Sequence, residues 1–577
     1  TAKSETPFAG SDTLPVVLPA TANLTGPFAP VSDSDWLTIT GSANGVVSFV
    51  FTATTTNRTA NITLLGQAIS VTQIGPTYSL GTTHLLEGNL AGSDSVVLSV
   101  TPAGAIWTTS TNDSWLHLSA GNQNGAGSTN VIFTFDANSG ATRIGTLTIA
   151  GQTLTVTQAG STYVAANLVT TLVSSGLLDP EGVAVDSTGN VYIADTGNQA
   201  IKKWTAANNT VTTLVASGLV YPSGLAVDGA GNVFVTDTFH NAIKEWVAAS
   251  NTVTMLVDSN LSLPFGVALD SVGNVYIADT YNSAIKEWMA ASNNVNTLVP
   301  SGLSLPFGVS VDCAGNAYIA DTLNNAIEEW TAANNTVTTL ALGLSQPRGV
   351  AVDGAGNVYI ADQANNAIKE WMATSNTVTT LVASGLNYPW GVAVDGAGNV
   401  YMADYGNNAI KELLHAFVDP TAKAETAAAG NDALPVVLPA TANLTGPFAP
   451  ASDSDWLTIN RSINGVVSFA FTANPFATSR TANISLLGQT IPVTQSAAPV
   501  IPPNLTGLTI LSNGAFQFCF INNQGTSFTV LTTTNLSLPL TNWTVLGTPT
   551  NNGSGQYQFT DLTATNYGQR FYRVSSP

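Results

Sequence analysis

One pattern of roughly 42 residues occurs six times in the middle of this chain, and a recurrence of that length restricts the fold more than any overall composition does. Its core reads P-x-G-V-A-V-D-x-x-G-N-V-Y-I-A-D-T-x-N-N-A-I-K-E-W, followed by a spacer and T-V-T-T-L-V. The turn aspartates Asp186, Asp228, Asp270, Asp312, Asp353 and Asp395 stand 42, 42, 42, 41 and 42 residues apart. A second series, Asp195, Asp237, Asp279, Asp321, Asp362 and Asp404, keeps step, as do Trp204, Trp246, Trp288, Trp330 and Trp371, with Leu413 in the sixth copy. Each copy holds four short alternating segments between Gly, Asn and Asp clusters, which predicts four strands joined by tight turns. A lone four-stranded sheet cannot bury both faces, whereas six packed radially can, so the repeat predicts a six-bladed β-propeller. The sixth copy stops after Ala409–Leu413 without its T-V-T-T-L-V, and a matching N-L-V-T-T-L-V lies ahead of the first copy at residues 167–173. This strand is expected to complete the last blade and to make unfolding of the ring cooperative.

The G-N-V-Y-I-A-D-T-x-N-N signature resembles the NHL repeat family, and within it the streptogramin-lyase-like branch, over roughly residues 163–418. A second repeat flanks the first. Residues 1–73 and 421–495 are near duplicates that share L-P-V-V-L-P-A-T-A-N-L-T-G-P-F-A-P, S-D-S-D-W-L-T-I, R-T-A-N-I and a closing V-T-Q, and residues 79–158 hold a diverged copy around Trp115. The W-L-T-I segments at Trp36 and Trp456 and the G-Q-x-x-x-V-T-Q elements resemble the BACON domain, an immunoglobulin-like β-sandwich. The last segment follows Pro499, Pro502 and Pro503, a stiff linker, and alternates in the manner of a further sandwich similar to fibronectin type III. The expected organisation is all-β: BACON-like sandwiches at 1–76 and 77–160, a six-bladed propeller at 161–418, a third BACON-like sandwich at 419–497 and a C-terminal sandwich at 498–577.

Composition removes several functions. The net charge is -20, from 35 acidic and 15 basic residues, which repels phosphate backbones and anionic lipid, so nucleic acid is not an expected partner. No apolar run approaches the roughly 18–20 residues that a spanning helix needs, so no membrane insertion is expected. Cys313 and Cys519 fall in different expected domains, which argues against a disulfide, and two Cys and four His leave little material for a metal or redox centre. No cofactor is expected; Ca²⁺ on the propeller axis has room among the carboxylates, but nothing selects it. A low-lysine, Thr/Asn/Gly-rich composition suits an exported, extracellular or cell-surface bacterial protein whose signal peptide preceded Thr1.

The recurrent residues read as architecture, because a role needed six times is a structural one. The aspartates can accept backbone N–H groups in turns, the K-E-W tryptophans can wedge between sheets, and Trp36, Trp115 and Trp456 can fill sandwich cores. Positions that vary inside the fixed frame are the candidates for binding, since they lie on loops held by a rigid scaffold. The fourth-to-first strand loops carry Glu181, Ser223, Phe265, Phe307, Arg348 and Trp390 after the proline, with Tyr221 and Tyr388 before it. The second-to-third strand loops carry Gly197, Phe239 with His240, Tyr281, Leu323, Ala364 and Tyr405. Alternation puts both sets at one end of the ring, where an aromatic rim with one Arg, one Glu and one His would surround the channel mouth. Such a rim suits a glycan or an extended protein segment; packing against neighbouring loops or sandwiches is the competing reading.

Three functions follow. Non-catalytic binding or adhesion to a glycan or cell-surface protein comes first, and it agrees with the carbohydrate binding that the BACON resemblance implies. Self-association into a surface fibre or layer through exposed edge strands is the alternative. Lyase or lactonase chemistry, which the propeller resemblance also allows, would need several histidines or a metal near the channel, and this ring offers only His240 with His415 at its exit. No G-x-S-x-G, H-E-x-x-H, P-loop or dinucleotide motif occurs.

Overall fold

The computed structural model describes residues 1–499, 502–523, 525–553 and 555–576. Among these the chain is all-β, its strands interrupted only by three-residue 3-10 turns. It divides into two compact units, one of Thr1–Ser161 with Asn167–His415 and the other of Thr162–Ala166 with the chain from Ala416 onward. Both cysteines are free.

In the first unit six four-stranded antiparallel sheets succeed one another. Five are built from consecutive strands. The sixth joins Pro389–Val394, Val400–Asp404 and Ala409–Leu414 to Leu168–Val173, which pairs with the last of these across a bulge between Thr171 and Val173. The second strand of every sheet, such as Val191–Asp195 or Val358–Asp362, is buried at all five positions, while in four of the six sheets the fourth, such as Thr210–Val215, exposes its first four residues. Burial therefore falls from the axis outward, which explains why V-Y-I-A-D reads as a nearly continuous apolar run and T-V-T-T-L-V as an alternating one. Hydrophobic clusters bridge neighbouring sheets: Tyr192 and Ala194 pack with Val233, Val235 and Trp246 of the next blade.

The glycine two places after each proline sets how closely the blades approach. A methyl on Gly182, Gly224, Gly266, Gly308 or Gly349 would lie within 2.6 Å of the backbone oxygen of the residue before the next blade's glycine. Gly391 meets the oxygen of Glu181 in the same way, so the sequence of contacts returns to its start and the ring is closed. The first aspartate series closes the turns at one end. Asp186 Oδ1 accepts the N–H groups of Thr188 and Asn190, Oδ2 accepts the Asn190 amide, and the other five copies repeat the bonds to the N–H groups two and four residues on and to the Asn amide.

Beside one of these turns Glu412 is 3% exposed, and burial, with the Asp395 charge adding to it, pushes its carboxyl up to about 8. A carboxyl whose pKa is higher in the folded state favours folding in its neutral form; that stabilisation is complete near pH 4 and is lost as pH rises through 8. The thermal midpoint of the propeller is expected to fall between about pH 5 and pH 9, and Glu412→Gln to flatten part of that fall. A midpoint that climbs over the same interval contradicts this.

Residues 1–73 form sheets of four and three strands, and residues 423–495 repeat that topology in the second unit. One device recurs in all three sandwiches. Arg58, Arg143 and Arg480 each lay a guanidinium 4.3 Å from the ring centre of Trp36, Trp115 and Trp456 respectively. Each arginine donates from Nε to the fully buried Gln73, Gln158 or Gln495 at 2.8–2.9 Å. The V-T-Q motif thus ends in a glutamine that fixes the arginine capping the core tryptophan. The second sandwich docks on the turn end of the propeller. Val97 N–H donates to Gly354 O at 3.0 Å, Ser95 Oγ donates to Ala355 O at 2.6 Å, and Gly81 lies against Gly354 so closely that neither tolerates a Cβ. In the second unit the final segment folds as sheets of four and three strands around Phe518, Phe520, Phe528, Val530 and Tyr557.

Candidate functional site

The loop end is built on the second aspartate series. Oδ1 of Asp195, Asp237, Asp279, Asp321, Asp362 and Asp404 accepts a backbone N–H from the fourth-to-first loop at 2.6–2.7 Å. In five blades Oδ2 accepts the amide of Asn198, Asn282, Asn324, Asn365 or Asn407. In the second blade that partner is His240, whose Nδ1 lies 2.8 Å from Asp237 Oδ2. His240 therefore fills a scaffold position with one ring nitrogen and exposes the rest of its ring. A lysine ammonium sits 2.5–2.7 Å from Oδ2 in every blade but the fourth. There Glu328 takes the lysine's place and turns to Thr339 Oγ1, and burial raises the pKa of the uncompensated Asp321.

A threonine latch completes the frame. Oγ1 of Thr196, Thr238, Thr280 and Thr322 donates to the carbonyl of the next blade's proline, Pro222, Pro264, Pro306 and Pro347. The fifth and sixth blades lack it, with Gln363 and Tyr405 at this position. The grouping of Tyr405 with Gly197 and Ala364 is thereby corrected by one residue: Gly406 is their counterpart, and Tyr405 stands where threonine should. Both exceptions turn toward the axis. Gln363 Oε1 accepts Arg348 Nε–H at 3.1 Å, and the Tyr405 ring centre lies 5.3 Å from that of Trp390. Two blades give up a latch of about 1 kcal/mol, and the freed positions support Arg348 and Trp390.

Around the mouth the rings form one chain of contacts. Phe239 stacks on Tyr221 at 4.6 Å, Tyr221 meets Phe265 edge-on at 6.2 Å, and Phe265 packs on Phe307 at 4.5 Å. Trp390 reaches Phe265 at 6.5 Å and Phe307 at 6.0 Å. The Arg348 guanidinium carbon lies 3.7 Å from the Phe307 ring centre and 4.3 Å from that of Trp390. Glu181, fully buried, accepts Tyr221 Oη–H at 2.7 Å and Ser223 Oγ–H at 2.6 Å. Burial pushes its carboxyl up to about 7, against the hydrogen bonds from Ser223 and Tyr221 and the Arg348 charge, which pull it down.

The ten candidates thus separate. Tyr221, Phe239, Phe265, Phe307, Arg348, Trp390 and Tyr405 make one cluster over the axis; Tyr281, Tyr388 and His240 stand apart from it. The expected open mouth is instead filled by rings, leaving a cavity of about 60 Å³, far below the several hundred that encloses a small molecule. What remains available is a face: Phe239, Tyr281, Leu323 and Tyr388 are each 53–58% exposed. The backbone at Tyr388, like that of the residue before the proline in every other blade, adopts a conformation that proline should disfavour. Tyr388 precedes Pro389 with φ +50°, and Asn366 Oδ1 of the previous blade holds its N–H at 2.7 Å. Among the described residues no group of three or more His, Cys, Asp and Glu converges in a manner that could hold a metal ion, and no helix is long and apolar enough to cross a membrane.

Comparison with known proteins agrees with the motifs. The NHL repeat matches residues 177–204 and 386–413, the first and last blades, and the BACON domain, described as a putative binding domain, matches residues 105–159 and 449–496. No curated protein matches the chain. Similar solved structures include a streptogramin B lyase, 14% identical with a TM-score of 0.36 over 43% of this chain and 97% of its own. A virginiamycin B lyase from Staphylococcus aureus is 15% identical, TM-score 0.34, over 43% and 88%. An auxiliary nutrient binding protein from Bacteroides thetaiotaomicron is 15% identical, TM-score 0.37, over 58% and 96%.

Proposed function

We propose that this is an extracellular or cell-surface binding protein whose propeller loop face holds a glycan against its exposed aromatic rings, without turnover. The observation that carries the reading is the loss of the threonine latch in the two blades that bear Arg348 and Trp390, since departures from a repeated scaffold rule concentrate where a site is built. The filled axis favours a ligand that lies across the face over one that enters the ring. Pyranose rings present flat C–H surfaces that suit Tyr388, Tyr281 and Phe239, and neighbouring polar edges fix their orientation.

Binding of the full chain to an array of immobilised oligosaccharides tests this. Tyr388 is exposed and stands apart from the cluster, so Tyr388→Ala is expected to weaken the signal at least about tenfold, the loss of one stacked ring. Trp390→Ala is expected to abolish it. Undiminished binding by both variants overturns the proposal.

A further inference from the structure

We propose that the ligand of this face carries a carboxylate received by Arg348, and that it is a carboxylated saccharide of the hexuronate class. The inference rests on the binding role proposed above and narrows its ligand.

Seven basic residues lie between positions 168 and 414. Six are lysines, and each pairs with an aspartate: Lys202, Lys244, Lys286, Lys369 and Lys411 with the second series, and Lys203 with Asp186. Arg348 is the seventh, and among the described residues it forms no ion pair. Its guanidinium has five N–H groups, of which Nε–H goes to Gln363 and Nη1 is buried with no hydrogen-bond partner. Phe307 and Trp390 lie against it and offer π faces but no in-plane acceptor. A guanidinium held flat by two rings, oriented through Nε and left with its fork unused, lacks a planar acceptor with two oxygens, and a carboxylate has that geometry. The buried Glu181 is the carboxylate whose charge bears on Arg348, but its two oxygens accept Tyr221 and Ser223, so Arg348 departs from the lysines of the ring in having no anion bonded to it.

The surroundings favour a sugar acid over a peptide carboxylate. A peptide would add to a free backbone edge, yet the loop N–H groups here are occupied: Leu178, Val220, Ser262, Ser304, Ser345 and Asn387 donate to the aspartates. The face offers exposed rings, and these match a pyranose body attached to the carboxylate.

Isothermal titration of the full chain with glucuronate, galacturonate and mannuronate oligomers, each beside its methyl ester, tests the inference. At least one acid form is expected to bind about tenfold or more tightly than its ester, the worth of a charge-assisted pair. Arg348→Met is expected to erase that difference, and Arg348→Lys, which keeps the charge without the fork, to reduce it. The ester comparison uses the unaltered protein, so it stands even where a variant fails to fold. Equal binding of acid and ester, or binding of neutral glycans only, overturns the carboxylate and leaves the aromatic face as the binding surface. Binding of a peptide with a free carboxylate in place of any uronate overturns the sugar. Failure to bind any saccharide overturns this inference together with the function it narrows.

Discussion

Gly391→Ala is expected to destabilise the propeller by about 3 kcal/mol or more, while Gly396→Ala in the same blade is neutral or stabilising by a few tenths. The two substitutions add the same methyl. At Gly391 it would strike the backbone oxygen of Glu181 across the seam between last and first blades, where no flexible side chain can yield. At Gly396 nothing lies within 4 Å and φ is ordinary, so the methyl only reduces the freedom of the unfolded chain. Because Leu168–Val173 fastens the same seam, the loss should appear as a lower midpoint of a single cooperative transition. Equal midpoints for the two variants, measured by chemical denaturation, would show that the blades can separate at this seam and that the ring is not closed as described.

Asp279→Ala is expected to cost about 3–5 kcal/mol, because it leaves the largely buried Lys286 ammonium with the Asn260 carbonyl but no counter-ion and takes the acceptor from the Ser262 N–H. Asp321→Ala is expected to cost only about 1–3 kcal/mol. Asp321 is equally buried and holds the Ser304 N–H and the Asn324 amide, but it faces no cation. The converse change, Glu328→Lys, restores the ammonium that the other five blades possess and is expected to stabilise by about 1–2 kcal/mol. A Glu328→Lys variant less stable than the unaltered protein, or an Asp321→Ala variant that costs as much as Asp279→Ala, would falsify the assignment of the lysines as the internal counter-ions of the frame.

Much of the fold was legible because it repeats. The spacing of the aspartates gave the strand pattern, and the absence of T-V-T-T-L-V after Leu414 pointed to Leu168–Val173. The proximity of the blades is legible in the glycine after each P-x: its recurrence at six places marks a backbone that no Cβ can approach. The cluster of rings over the axis was legible in its residues and not in its shape. Variable loop positions identified Phe265, Phe307, Arg348 and Trp390, but their packing across the axis depends on contacts between blades that no local pattern encodes. Gln363 was missed, although its replacement of threonine in A-D-T was visible. Tyr405 was placed one residue out of register for the same reason. The left-handed conformation of Tyr388 could not be read from the chain, because proline argues for extended backbone and the Asn366 bond that overrides it comes from another blade.

The proposed division, in which recurrent residues make the scaffold and exceptions make the site, is probed most directly by saccharide binding and thermal midpoint measured together on Tyr388→Ala. The expected result is a binding loss of at least about tenfold with a midpoint unchanged within about 1 °C, since the side chain lies 53% exposed outside the cluster. Binding that survives intact, or a midpoint that collapses with it, would contradict the division.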